Sequence, residues 1–169
     1  QDAVRVDAQA LDPIQVAREL SAVALAGAYD LIICGQESID YNGGIVPAAL
    51  AEILGWPVVS PCIGFDPAGG RAKATREIDG GKEILDLALP AVLGAKKGLV
   101  EESELRIPNM RGIMSARTKP LVVVEPVSQE TQAEASGYQL PPAKGSVKLV
   151  DKDQVSELVR LLKNEAKVL

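Results

Sequence analysis

Residues 30–54 carry the pattern that most restricts how this chain can fold. Asp30-Leu-Ile-Ile-Cys34 is a short apolar run, and Gly35-Gln-Glu-Ser-Ile-Asp-Tyr-Asn-Gly-Gly44 is a polar loop bounded by glycines. Ile45 to Leu54 then opens as a helix. Strand, loop and helix in immediate succession form the building unit of a parallel α/β sheet. In such sheets ligands lie beyond the carboxyl ends of strands, where helix N-termini present unpaired N–H groups. Gly35, Gly43 and Gly44 allow close backbone approach and positive φ. The loop is therefore a candidate binding site. The same residues also fit a tight connection that binds nothing, since neither a full GxGxxG nor a P-loop consensus is present.

Composition narrows the chemistry. The chain has 169 residues, 47% of them hydrophobic, enough for one domain with its own core. Aromatics make up 3%, so valine, leucine, isoleucine and alanine must build that core. There is no histidine. That excludes Ser-His-Asp and Cys-His catalysis and any histidine-ligated metal. Cys34 and Cys62 have no metal-site spacing and lie in or near apolar runs, which favours buried free thiols and a reducing compartment. A net charge of −5 argues against a nucleic-acid surface. No apolar run reaches membrane-spanning length, and no signal-peptide pattern is visible. The sequence starts at Gln1 rather than methionine, so the natural N-terminus is expected upstream.

Taken in order, Ala3 to Val6 alternates weakly, as an edge strand does. Asp12-Pro13-Ile14-Gln15 is a helix start, with Asp as N-cap, Pro at N1 and Gln at N3. Ile14, Ala17, Ser21 and Ala24 recur at helical spacing, with Gly27 as C-cap. After the central unit, Gly55-Trp-Pro57 ends the helix and Val58 to Ser60 reads as a short buried strand. Residues 71–78 and 82–89 alternate about Asp79-Gly80-Gly81, a β-hairpin signal, with Leu85, Leu87 and Leu89 on one face. Such a hairpin either meets a partner or covers a sheet edge.

Pro90 to Leu93 reads as a short buried strand, and residues 95–104 as loop with some helix. In Arg106-Ile-Pro-Asn-Met-Arg-Gly-Ile-Met114, Met110 sits on a loop and is placed to face outward, whereas Ile113 and Met114 are expected to turn inward. Leu121 to Val124 is a β-branched strand. Ser128 to Lys144 is a polar arm, Val147 to Val150 a short strand. A last helix is expected, capped by Asp151, with Gln154 at N3 and a stripe of Val155, Leu158, Val159 and Leu162.

This alternation predicts an α/β fold with a mainly parallel sheet that looks incomplete at its N-terminal end. Four segments then resemble the electron transfer flavoprotein β subunit family, in family order. They are Gly35-Gln-Glu-Ser-Ile-Asp40 with Gly55-Trp-Pro57; Ala74 to Leu85 with Leu89-Pro-Ala-Val-Leu93; Arg111-Gly-Ile-Met-Ser-Ala116 with Lys119-Pro120; and Tyr138-Gln-Leu-Pro-Pro142 with the final helix. The resemblance runs from about Pro13 to the C-terminus.

It implies a Rossmann-like α/β domain over residues 1–127, lacking the family's first strands and carrying the hairpin as an antiparallel excursion, and a C-terminal arm and helix over 128–169. It implies a heterodimer with an α subunit holding most of the redox FAD, and AMP or a second FAD in the β-subunit site. Electrons would pass from dehydrogenases, such as acyl-CoA dehydrogenases, to a quinone reductase or another acceptor. Gly35, Gln36, Ser38, Asp40, Gly43, Gly44 and Val46 align with the family's phosphate and ribose loop. Ile45 stands where a glutamine is common, and Pro47 has no N–H. Glu77 matches a carboxylate that pairs with a cation of the α subunit, the alternative being a solvated hairpin charge. Met110 matches the apolar anchor of the loop that docks dehydrogenases. No catalytic residue is expected in the chain, because a flavin carries the electrons. The location implied is cytoplasmic in a bacterium and the mitochondrial matrix in a eukaryote. A stand-alone nucleotide-binding regulatory module of the stress-protein type is the alternative.

Overall fold

The computed structural model describes residues 3–10, 12–128 and 130–169. It divides into a unit ending at Ala135 and a second unit, Ser136–Leu169.

In the first unit, helix α1 (Pro13–Gly27) starts where Asp12 accepts hydrogen bonds from Ile14 N and Gln15 N, and Pro13 needs no partner for a missing N–H. It ends one residue later than the glycine suggests, with Ala28 in the left-handed region at φ 49°. Strand β2 (Leu31–Gly35) leads through the glycine-bounded loop to α2 (Val46–Leu54), which Gly55 terminates at φ 67°.

A five-stranded sheet runs in the order β2-β6-β3-β4-β5, where β3 is Val58–Ala68, β4 Arg71–Ile78, β5 Gly81–Ala88 and β6 Ala91–Ala95. β2 and β3 flank β6 in parallel, and β3, β4 and β5 form an antiparallel meander. The expected strand at 58–60 is thus only the start of an eleven-residue one. Its front half pairs with β6 and its back half turns at Gly69-Gly70 into β4. Both glycines have positive φ, which a two-residue hairpin loop needs here. The expected hairpin forms, with the turn at Asp79-Gly80 and Ile78 opposite Gly81, so Gly81 belongs to β5 rather than to the turn. It is continuous with the main sheet.

β6 is the pivot of the core. Val92 faces Ala17, Leu50 and Ala51 of the two helices, with Ile32, Cys34 and Trp56 packed around them. Ala91 and Leu93 face the other side, with Val59, Cys62, Ala72, Ala74 and Leu87. Cys34 pairs with Gly94 and Cys62 with Ala95, consecutive positions on β6, so the thiols lie on opposite faces of the sheet. Both are free, and burial pushes both thiols up from the ordinary range.

A second, two-stranded sheet joins β1 (Ala3–Val6) to β7 (Leu121–Val124) in parallel. β1, α1 and β2 follow one another as a βαβ unit, yet β1 and β2 lie in different sheets. The face of the small sheet towards α1 leaves an apolar groove of about 350 Å³, lined among others by Val4, Val6, Val23, Val122 and Val124. Between β6 and β7 run a short 3-10 turn (Glu102–Glu104) and helix α3 (Met110–Ala116).

In the second unit, residues 136–150 form no regular element, so the strand expected at Val147 to Val150 is absent. Helix α4 (Val155–Asn164) begins three residues later than an Asp151 cap would start it. Asp151 instead accepts from Asp153 N at 3.0 Å, a local turn that competes with helix. Leu161, outside the expected stripe, is the buried residue of α4.

Candidate functional site

The loop after β2 is built by the ends of two parallel strands. Gly35 pairs with Ala95, and Gln36 N donates to Ala95 O at 3.0 Å. The carboxyl ends of β2 and β6 therefore lie side by side where the loop begins. A Cβ added at Gly44 would sit 3.3 Å from the Gln36 carbonyl oxygen, so the loop's far end folds back on its start. At Gly43 an added Cβ meets nothing within 4 Å. The residue that takes the left-handed conformation is Asn42, at φ 51°. Asparagine tolerates that region better than most residues, so the Asn-Gly pair was the signal available for it.

The polar groups of the loop are partly engaged with one another. The Ser38 hydroxyl, and then Tyr41 N at 2.9 Å, hold the Asp40 carboxyl below its ordinary range. Gln36 Oε1 is buried and accepts no hydrogen bond among the described residues. α2 starts at Val46 with Ile45 in the capping position and no side-chain cap. Its first turn leaves the N–H groups of Val46 and Ala48 without an intrahelical acceptor, and Pro47 has none to offer. Residues 35–46 include no Lys or Arg. The charged side chains of this stretch are Glu37 and Asp40, so main-chain N–H groups are what it offers an anion.

Glu77, near the end of β4, is half-exposed and accepts from Lys96 Nζ. That contact, and the positive charge of Lys96, hold its carboxyl below the ordinary value. Lys96 follows Ala95, whose carbonyl receives Gln36 N. Glu77 and the loop are thus linked through consecutive residues at the end of β6. No local pattern pairs positions 77 and 96; the sheet order does.

The segment after the 3-10 turn differs from expectation. Met110 is the first residue of α3, not a loop residue, because Asn109 caps the helix by accepting from Gly112 N at 2.8 Å. Met110 is 72% exposed. Ile113 and Met114, expected to turn inward, are exposed as well. Among the described residues α3 supplies none to either core cluster. Among the described residues no acidic, cysteine or histidine group could hold a metal ion, and no helix is long and apolar enough to cross a membrane.

Parallel strands with helices on one face and a glycine-bounded loop at their carboxyl ends define an α/β protein of the Rossmann-like class. Within that class the chain belongs to the electron transfer flavoprotein domain family, whose model matches residues 1–129. It is 37% identical over 155 residues to the electron transfer flavoprotein subunit beta of Syntrophomonas wolfei, covering 87% of this chain and 60% of that protein. It is 34% identical to the Bacillus subtilis subunit beta, covering 83% of this chain and 58% of that one. For the Homo sapiens subunit beta the figures are 37%, 71% and 46%. The chain thus spans about three-fifths of the length of the bacterial relatives it matches.

Proposed function

We propose that this chain is the scaffold and docking part of a two-subunit flavoprotein electron carrier, working as a β subunit. Its companion α subunit would hold the redox FAD and pass electrons from dehydrogenases to a quinone reductase or another acceptor. Membership of the electron transfer flavoprotein family is the observation that carries this reading. FAD supplies the redox chemistry when bound; the polypeptide sets distance, orientation and access.

The chain's own residues divide this work. Gly35, Gln36, Ser38, Asp40, Gly43, Gly44 and Val46 would hold AMP or a second FAD, with main-chain N–H groups at the start of α2 facing its phosphate. Glu77, held by Lys96, would present a positioned carboxylate to a cation of the α subunit. Met110, on an exposed helix start between Arg106 and Arg111, would seat in an apolar pocket of the dehydrogenase. An exposed apolar side chain with Arg106 and Arg111 near it in the chain suits a transient, fast-exchanging contact. The free edges of β1 and β2 would each accept a further strand.

Co-purification tests the reading. A tagged full-length gene product should bring down a second, flavin-bearing chain and be yellow. A colourless homodimer that binds ATP would replace the carrier by a regulatory module.

A further inference from the structure

Four polar residues are buried on α1 and at its cap: Asp12, Gln15, Glu19 and Ser21. The Ser21 hydroxyl donates back to Arg18 O within the helix. Asp12 and Glu19 do something else. Asp12 caps α1 through Oδ1, while its Oδ2 accepts from Gln132 N at 2.8 Å. Glu19 Oε2 accepts from Val127 N and its Oε1 from Ser128 N, each at 2.9 Å. The Arg18 guanidinium lies 3.9 Å from the Glu130 carboxylate.

The spacing explains how two carboxylates hold one segment. Asp12 and Glu19 are two helical turns apart, about 10 Å along the axis. Ser128 and Gln132, four residues apart, span at most about 13 Å when extended. Val127 and Ser128 are therefore held beside the middle of α1 and Gln132 beside its N-terminus. A carboxylate buried in this way is tolerated only where donors satisfy it, and ionised acceptors make the stronger hydrogen bonds. The donors are main-chain amides, so the contact fixes the path of the segment whatever its side chains. The first unit ends at Ala135, three residues beyond Gln132.

We propose that Asp12 and Glu19 form a clasp that ties the chain beyond β7 to α1, so that Val127, Ser128 and Gln132 open with α1 rather than with the residues that follow them. The clasp does not depend on the proposed electron-transfer role.

Native-state hydrogen exchange of the full chain, read at single amides, tests it. In the wild type, Val127, Ser128 and Gln132 should be protected while residues 136–150 exchange freely. Glu19→Gln keeps the shape but turns an NH2 group towards an amide donor, so exchange at Val127 and Ser128 should quicken at least about tenfold, with β6 amides unchanged. Asp12→Asn keeps a competent N-cap and should loosen Gln132 alone. Unprotected Val127 and Ser128 in the wild type, or protection unchanged in Glu19→Gln, would overturn the clasp. A uniform rise that includes β6 would make Glu19 an ordinary core residue and would overturn it too.

Discussion

β6 and β7 read alike in the sequence, Ala91-Val-Leu-Gly-Ala95 and Leu121-Val-Val-Val124, but occupy opposite situations. β6 has a parallel neighbour on each side and a packed layer on each face, and Ala91, Val92 and Leu93 are fully buried. β7 has one neighbour, and Leu121, Val122 and Val123 each keep about half of their surface. Apolar composition puts a segment in a strand; what lies beside it decides whether the segment is core. Apolar surface left open on β7 and α3 is where contact with other polypeptide is expected.

The strongest way to break this contrast is truncation of the buried strand. Leu93→Ala should destabilise the protein by about 3 kcal/mol in urea unfolding, whereas Val123→Ala should cost under about 1 kcal/mol. Equal losses would mean β7 is as enclosed as β6. Met110→Glu sharpens the contrast from the exposed side. It should change stability by no more than about 0.5 kcal/mol and leave flavin content alone, yet slow reduction by the partner dehydrogenase about tenfold. Unchanged turnover would reject the docking role.

The glycine loop offers a finer comparison. Gly44→Val presses against the Gln36 carbonyl, whereas Gly43→Val meets open space. AMP binding by calorimetry should fall several-fold in the first, whose loop shifts, and less in the second, where the loop keeps its shape and only the close approach of a phosphate is lost. Unchanged binding in both would remove the loop as the nucleotide site.

A smaller effect follows from pH. The N–H groups of Gln15, and then of Gln132, hold the Asp12 carboxyl below its ordinary value. The folded chain therefore binds fewer protons at this group than the unfolded chain. Its stabilising contribution is complete above the unfolded value of about 3.9 and fades as pH falls through the lower folded value. Thermal unfolding measured from about pH 5 to pH 3 should show a shallower decline for Asp12→Asn than for the wild type. Parallel declines would remove Asp12 from the acid response.

Local chemistry made part of this legible. Asp12-Pro13 marked the start of α1, Asp79-Gly80 marked the hairpin, and Gly55 ended α2, because each is a backbone rule carried by one or two residues. Gly69-Gly70 carried the same kind of signal for the β3–β4 turn, and the long β3 follows from it. The misses were questions of surroundings. Ile113 and Met114 have the composition of core residues, but among the described residues α3 joins neither core cluster. Asp151 fits two local structures, and the turn prevails over the cap. Within the site, the loop and its glycines were visible in sequence. The Glu77–Lys96 pair and the grip of Glu19 on residues 127 and 128 were not, since each joins positions that only the folded chain brings together.

The central claim is that this polypeptide works as one half of a flavoprotein. Native mass spectrometry of the assembly purified from cells expressing the full-length gene product tests it most directly. The account predicts one copy of this chain, one copy of a different chain and at least one FAD in a single particle. A particle made only of this chain, with no flavin mass, would contradict it.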